Sequence, residues 1–336
     1  MKPRFLVRWL SVLTVLSICQ SRAEENIQTK IWTDPDVALR EDPDFSIQGE
    51  YGSAKAGGAA YGVQVVALGG GVFDAYVLEG GLPGSGWTPE KSRILLKGES
   101  KEGKTVFESS DKSITAAIQD GKWTMTAKDG KQTVLPRIER KSPSLGASAP
   151  EGAVVLFDGS SADAWEKGNV ENGLLAAGCT SKQRFGSYRL HLEFRTPYRP
   201  ADRGQKRGNS GIYHSGRYET QILDSFGLDG KDNECGGIYS ISKPSINMCL
   251  PPLAWQTYDV DFTAAKFDAD GKRIAWPRIT VKLNGEPVHQ DLELSKDLTT
   301  AAPVKTPLAD PEGPVHLQDH QNPVFFRNIW IVPVND

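Results

Sequence analysis

The sequence predicts an all-β protein, a small β-domain followed by a β-sandwich. Three observations carry that expectation. Short apolar runs of strand length are punctuated by glycine and proline, which number 34 and 21 among 336 residues. Turn dipeptides such as Asp120-Gly121, Asp129-Gly130 and Asn284-Gly285 fall between such runs. No segment of the second half shows convincing helical periodicity.

Residues 1–23 read as a secretory signal. Lys2, Arg4 and Arg8 form its basic region, and Trp9 to Cys19 is apolar but too short to span a bilayer. Ser21-Arg22-Ala23 supplies small residues for cleavage after Ala23. The mature chain is therefore expected in the periplasm or outside the cell. No later segment reads as a membrane span. A formal net charge of −3 gives no electrostatic case for nucleic acid or an anionic membrane surface.

Residues 24–140 form the small β-domain, with 24–45 read as irregular. Tyr61 to Leu68 and Val72 to Leu78 flank Gly69-Gly70-Gly71 as a hairpin. No helix follows those glycines, so they are a turn and not a phosphate loop. Arg93 to Leu96, Thr105 to Phe107 and Ile114 to Ile118 continue the strands. Gly80 to Gly86 reads as an exposed loop closed by Trp87, a packing residue more readily than a sugar contact. Residues 141–153, rich in Ser, Pro and Ala, read as a linker.

Residues 154–336 carry all five histidines. Strands are expected at Tyr188 to Thr196, Gly211 to His214, Tyr218 to Leu223, Gln256 to Thr263, Arg278 to Leu283 and Val324 to Pro333. A β-sandwich is the economical fold. The strand from Arg217 to Asp224 is polar where a half-buried strand should be apolar. Period 2 places Glu219, Gln221 and Leu223 on one face, opposite Tyr218, Thr220 and Ile222. Asp224 joins the Glu219 face only through a bulge. Carboxylates on one strand face suit glycosidic-bond chemistry. The spacing is similar to the catalytic strand of laminarinase-type glucanases, with Gln221 in place of their middle acid.

The second half also resembles a known family. The residues are Leu156-Phe157-Asp158-Gly159 with Trp165, Asn209-Ser210-Gly211-Ile212-Tyr213, Tyr218 to Asp224, Gly237-Ile238-Tyr239, Trp255-Gln256-Thr257-Tyr258, Leu283-Asn284-Gly285, His316 to His320 and Phe326-Arg327-Asn328-Ile329. In order and type they resemble the 3-keto-disaccharide hydrolase domain family, across about 154–336. The resemblance implies a concanavalin A-like jelly-roll sandwich and cleavage of glycosides oxidised to a ketone at C3. The β-domain lies outside it.

A 3-keto group acidifies the C2 hydrogen, so cleavage can run by elimination and hydration. That route needs a base, an acid for the leaving group and a polariser for the ketone. Glu219 is the first candidate base; its structural alternative is a pair with Arg217 or Arg327. Gln221 is placed to bind a sugar hydroxyl or to orient Glu219. Asp224 is a second acid, or equally a cation ligand or turn cap. Gln318, Asp319 and His320 offer amide, carboxylate and imidazole in one loop, with His320 as acid or keto-oxygen ligand. Arg327 stabilises an enolate or forms a structural salt bridge. Asn209 reaches sugar from a strand start, His214 lies at an exposed turn, and Trp255 and Tyr239 are stacking platforms or core aromatics. The proposed site residues all lie in the second domain, so some activity is expected without the first.

No metal site is expected, because the histidines show no HxxxH or HxH spacing. Asp229 to Glu234 departs from EF-hand spacing and reads as a solvated loop. No cofactor is required, a divalent cation being the one alternative. Cys179, Cys235 and Cys249 remain after signal removal. Cys235 and Cys249 are the expected disulfide, with three buried thiols as the alternative. Two other functions compete with an enzyme acting on carbohydrate: a lectin-like binding protein, and a structural or adhesion role.

Overall fold

The structure is a computed structural model that describes residues 30–334, so the signal reading at 1–23 lies outside the described residues. The chain is all-β apart from short helical turns. Two of these, Pro35–Glu41 and Pro43–Ile47, replace the irregular chain expected there. Asp34 caps the first by accepting from the Asp36 and Val37 amides at 2.9 and 3.0 Å, and Asp42 caps the second. Each helix starts on a proline, whose missing N–H is no loss at that position.

Eight antiparallel strands then close into a barrel in chain order. They are β1 (Gly49–Tyr51), β2 (Tyr61–Gly69), β3 (Val72–Glu79), β4 (Arg93–Lys101), β5 (Lys104–Ser109), β6 (Ile114–Gln119), β7 (Lys122–Ala127) and β8 (Gln132–Ile138). β1 pairs with β8, so no edge stays open. Tyr51, Phe73, Phe107 and Trp123 fill the interior with tilted ring pairs.

The second unit is two sheets packed face to face. One runs β10 (Trp165–Glu166), β13 (Cys179–Phe185), β22 (Gly313–Leu317), β15 (Ser210–His214) and β16 (Tyr218–Ile222). The other runs β11 (Val170–Glu171), β12 (Leu174–Ala176), β23 (Phe325–Val334), β14 (Ser187–Arg195), β17 (Gln256–Thr263), β20 (Arg278–Leu283) and β21 (Glu286–Glu293). β9 (Val154–Phe157) adds to β23, and β18 (Lys266–Phe267) and β19 (Arg273–Ala275) form a separate ribbon. Ile212, Tyr218, Ile222 and Leu317 meet Leu190, Phe194, Tyr258 and Phe262 in one core. His214 is buried in that core, not exposed at its turn. It bonds Tyr188 Oη at 2.7 Å and Thr220 Oγ1 at 2.9 Å. Burial pushes it down to about 3, so it is neutral.

Residues 141–150 are not a free linker. They lie as a strap across the outer face of the larger sheet. Ser142 Oγ meets Thr257 Oγ1 at 2.6 Å, and Ser144 Oγ donates to Asp259 at 2.6 Å. The Gly146 amide donates to Glu193 at 2.6 Å. Asn328 and Trp330 both donate to the Ala147 carbonyl.

The barrel and the sandwich share cores. Val66 of β2 packs into the sandwich core, while Tyr198 and Leu253 of the sandwich unit pack into the barrel core. The 80–86 loop, expected to be exposed, is largely buried: Leu82 and Trp87 pack together against Tyr76, Ile138 and Ile246. Trp87 donates to the Ser92 carbonyl at 3.2 Å and serves packing.

Candidate functional site

The β15–β16 hairpin sets the site. Its register pairs Tyr213 with Glu219 and Gly211 with Gln221. Ile212, Tyr218 and Ile222 enter the core, so Tyr213, Glu219 and Gln221 take the opposite face. That face is buried as well, and residues 236–242 dock on the free edge of β16. Gln221 N donates to Gly237 O at 2.9 Å, Gly236 N to Gln221 O at 3.1 Å, and Tyr239 N to Glu219 O at 3.0 Å. Tyr239 therefore borders the site through its backbone, with a half-buried ring.

Glu219 is 2 % exposed. Its carboxylate lies over Gly211, where a Cβ would stand 2.3 Å from Oε1. Tyr213 Oη donates to Glu219 Oε2 at 2.7 Å, and Gln318 Nε2 donates to Tyr213 Oη at 3.2 Å. Burial raises the carboxyl to about 7 against the lowering effect of the Tyr213 bond. Burial and the adjacent Glu219 carboxylate raise the Tyr213 hydroxyl far above its ordinary range. Gln221 Nε2 donates to Asn209 Oδ1 at 3.1 Å and Gln205 Oε1 at 3.2 Å, and Asn209 Nδ2 donates to Gln205 Oε1 at 2.8 Å. The amide oxygens of Gln221 and Gln318 are buried and unpaired. Buried acceptors of this kind are costly unless something donates to them. Behind Tyr213, the His316 ring lies 5.7 Å away and its Nδ1 meets Thr180 Oγ1 at 2.9 Å.

Gly211 yields the first prediction. Alanine there forces the Glu219 carboxylate aside while leaving the strand pairing intact. Turnover should fall about 10–100-fold, as small displacements of reacting groups do. Kinetics on Gly211→Ala check this; undiminished turnover would show that the position of Glu219 does not matter.

The other sequence-derived residues divide. Gln318 and Asn209 join the Glu219 face as described. Asp319 and His320 follow β22 in an exposed turn, where Asp319 Oδ1 accepts from the Gln321 amide at 2.8 Å. The turn starts beside the site, since Gln318 N donates to Gly211 O and Ser210 Oγ to Gln318 O. Asp224 lies beyond the end of β16 and no bulge returns it to the Glu219 face. It is fully occupied, accepting from Arg207 Nε at 2.6 Å and Phe226 N at 3.3 Å.

Arg327 lies on β23 of the other sheet, and Trp255 stands in the loop just before β17 of that sheet. Arg327 Nε donates to Glu193 Oε2 at 2.6 Å, and its guanidinium lies 4.0 Å from the centre of the Trp255 ring. Burial opposes the charge of Glu193, yet bonds from His191, Asn328, Gly146 and Arg327 lower it to about 2. Through Glu193 and Asn328 this network is bonded to the strap at Gly146 and Ala147. Tyr213 and Gln205 were not assigned roles from the sequence. Tyr213 is reached only through the hairpin register, and Gln205 only through the loop that carries it.

The expected Cys235–Cys249 bridge is not formed, and both are buried free thiols. The two thiols nevertheless lie side by side within hydrogen-bonding reach of each other; Cys235 Sγ also lies 3.4 Å from Tyr258 Oη, and Cys249 Sγ meets the Leu250 and Leu223 carbonyls. The 229–234 segment is tied down at both ends. Asp229 pairs with Arg93 at 2.5 Å, and Glu234 accepts from the Gly230 and Lys231 amides. Among the described residues no group of three His, Cys, Asp or Glu is placed to hold a metal ion. Among them, too, no helix is long and apolar enough to cross a membrane.

A "putative glycosyl hydrolase" from Parabacteroides distasonis is 32% identical and superposes with a TM-score of 0.50, covering 56% of this chain and 86% of that one. Two other structures of the same description and organism are 19% and 20% identical, with TM-scores of 0.40. They cover 55% and 54% of this chain and 95% and 99% of their own. No curated protein matches the chain. Residues 152–332, more than half of the chain, match the 3-keto-alpha-glucoside-1,2-lyase-like domain, and the chain belongs to that family.

Proposed function

We propose that this chain is an exported enzyme that cleaves the glycosidic bond of 3-keto-glycosides, with Glu219 as its base. The reading rests above all on one observation: a buried carboxyl raised to about 7 beside two unpaired amide oxygens. A general base working near neutral pH needs such a value. The unpaired oxygens of Gln221 and Gln318 suit sugar hydroxyls, which donate. Family membership supports a 3-keto-glycoside as the substrate class, and the two packed sheets suit a concanavalin A-like jelly roll.

In this reading Glu219 takes the proton from C2, and the C–H electron pair becomes an enolate delocalised onto the C3 oxygen. Its collapse forms the C1–C2 double bond and breaks the bond from C1 to the glycosidic oxygen. That oxygen leaves with a proton, and water then adds, hydroxyl to C1 and hydrogen to C2. Tyr213 holds Glu219 in place and links it to Gln318. His320, in the turn next to Gln318, supplies the leaving-group proton or binds the ketone, with Asp319 beside it. Asn209 fixes the Gln221 amide so that its free oxygen faces substrate. Asp224, Arg327 and Trp255 take structural roles.

The test is release of p-nitrophenol from p-nitrophenyl 3-keto-α-glucoside, with the unoxidised glucoside as control. Turnover of the keto substrate alone is the expected result. Binding without turnover would favour a lectin-like protein instead. The pH profile gives a second check. The base works only when ionised, so kcat/KM should rise with pH through about 7 and level off above it. A profile already flat from pH 5 upward would mean that another group is the base.

A further inference from the structure

We propose that the barrel is a working part of the catalytic face, and that Arg207 is the positioning residue through which it acts. The proposal rests on the reading of the Glu219 face as the substrate site.

The segment from 198 to 209 joins β14 to β15 and delivers Gln205 and Asn209. Its course is set by the barrel. Tyr198 lies in the barrel core, 5.3 Å from the Trp32 ring and 5.0 Å from Phe45, and its hydroxyl donates to Asp42 at 2.9 Å. Trp32 and Tyr198 also exchange backbone hydrogen bonds of 3.1 and 2.9 Å. Further along, Arg203 Nη2 donates to the Leu68 carbonyl at 3.1 Å, at the end of β2.

Arg207 then joins three parts. Nη1 donates to the barrel carbonyl of Ala67 at 3.3 Å, and Nε donates to Asp224, two residues past β16. The Asp224 amide returns a bond to the Arg207 carbonyl at 3.0 Å. A buried ion pair of this kind adds little net stability over apolar packing, but it fixes geometry. Gln205 and Asn209 stand two residues either side of Arg207. Together they hold the Gln221 amide nitrogen, which leaves Gln221 Oε1 unpaired.

The loop after β16 is held from the same side. A Cβ on Gly227, where φ is +74°, would stand 2.6 Å from Val66 of the barrel. Arg93 of β4 bonds both Asp229 and the Gly227 carbonyl. The barrel has no histidine, and its contribution is therefore to shape the site and not to supply its acid–base groups.

The experiment uses the full chain with Arg207→Ala, Arg207→Lys and the milder Arg203→Ala, which guards against misfolding of the first. Amide hydrogen exchange is followed over 203–209 and at Gln221 and Gly237. Kinetics use p-nitrophenyl 3-keto-α-glucoside. Arg207→Ala should speed exchange in 203–209 and raise KM about tenfold, the loss of one good hydrogen bond. Its kcat should stay within about threefold, and the acid limb near pH 7 should not move, because Glu219 is untouched. Arg203→Ala should do the same to a smaller degree. Lysine can face Asp224 but lacks a second arm for the Ala67 carbonyl, so it should not restore KM. Full rescue by lysine would overturn the proposal, since charge alone would then suffice. Unchanged exchange with unchanged KM in Arg203→Ala and Arg207→Ala would also overturn it. If the parent chain does not turn over the probe, the substrate reading fails, and exchange alone decides the barrel's role: faster exchange in Arg203→Ala supports the linkage and unchanged exchange refutes it.

Discussion

Glu219→Gln lowers turnover of p-nitrophenyl 3-keto-α-glucoside by roughly two to four orders of magnitude, with KM little changed, if the carboxylate removes the C2 proton. The substitution keeps the shape beside Tyr213 and still accepts its hydroxyl. Stability separates this outcome from damage to the fold. A carboxyl raised from 4.5 to about 7 by burial is favoured in its protonated form when folded. The folded state then holds more protons than the unfolded one between those values, so ionisation of Glu219 erodes stability as pH rises through that window. Glutamine does not ionise. The variant should therefore be more stable than the parent above pH 7, by on the order of 2–3 kcal/mol, and match it below pH 4. A folded, stabilised variant with near-parental turnover would remove Glu219 from catalysis and leave Asp319 as the remaining carboxylate candidate.

Removing the barrel should have the second largest effect. A fragment beginning at Lys141 should be aggregated or molten instead of partly active. Tyr198 and Leu253 would lose the barrel core and the sandwich would lose Val66. Each such side chain contributes about 1.5–3 kcal/mol when buried, and domains are stable by only about 5–15 kcal/mol in all. Arg207 would also keep its charge pair while losing its barrel acceptor. Gel filtration and near-ultraviolet circular dichroism of the fragment test this. A monomeric, ordered fragment with turnover would show the barrel to be dispensable, as the location of the site residues in the second half alone suggests.

Much of the strand layout was legible because alternation and turn chemistry act locally. Gln256–Thr263 and Arg278–Leu283 stand where periodicity places them, and Asn284-Gly285 turns the next hairpin with both residues at positive φ. The helices at 35–47 were missed although Asp34-Pro35 and Asp42-Pro43 are start signals, because the helices are too short to show periodicity. Tyr213 escaped for a reason of register. The hairpin between His214 and Tyr218 admits pairings one residue apart, and a one-residue shift exchanges faces. Arg327 and Trp255 lie in the same linear pattern as Glu219, but a linear pattern does not tell which of two sheets a strand joins. Asp224 needed a bulge, and the strand ends first. The Ser- and Pro-rich run at 141–150 lacks regular structure, which composition reveals, yet it is packed, which composition does not.

That packed run decides where the protein can be cut and rejoined. The family match begins at residue 152, so a fusion built on that boundary would discard the strap. Glu193, Asp259, Asn328 and Trp330 would then lose their bonds to Ser144, Gly146 and Ala147, and Thr257 its partner Ser142. By sequence the run looks like a tether belonging to neither domain, but by hydrogen bonding it belongs to the sandwich. A chimera that exchanges the barrel for another N-terminal module must place its junction ahead of Lys141 and carry the strap along, and the new module must present a surface for Arg207.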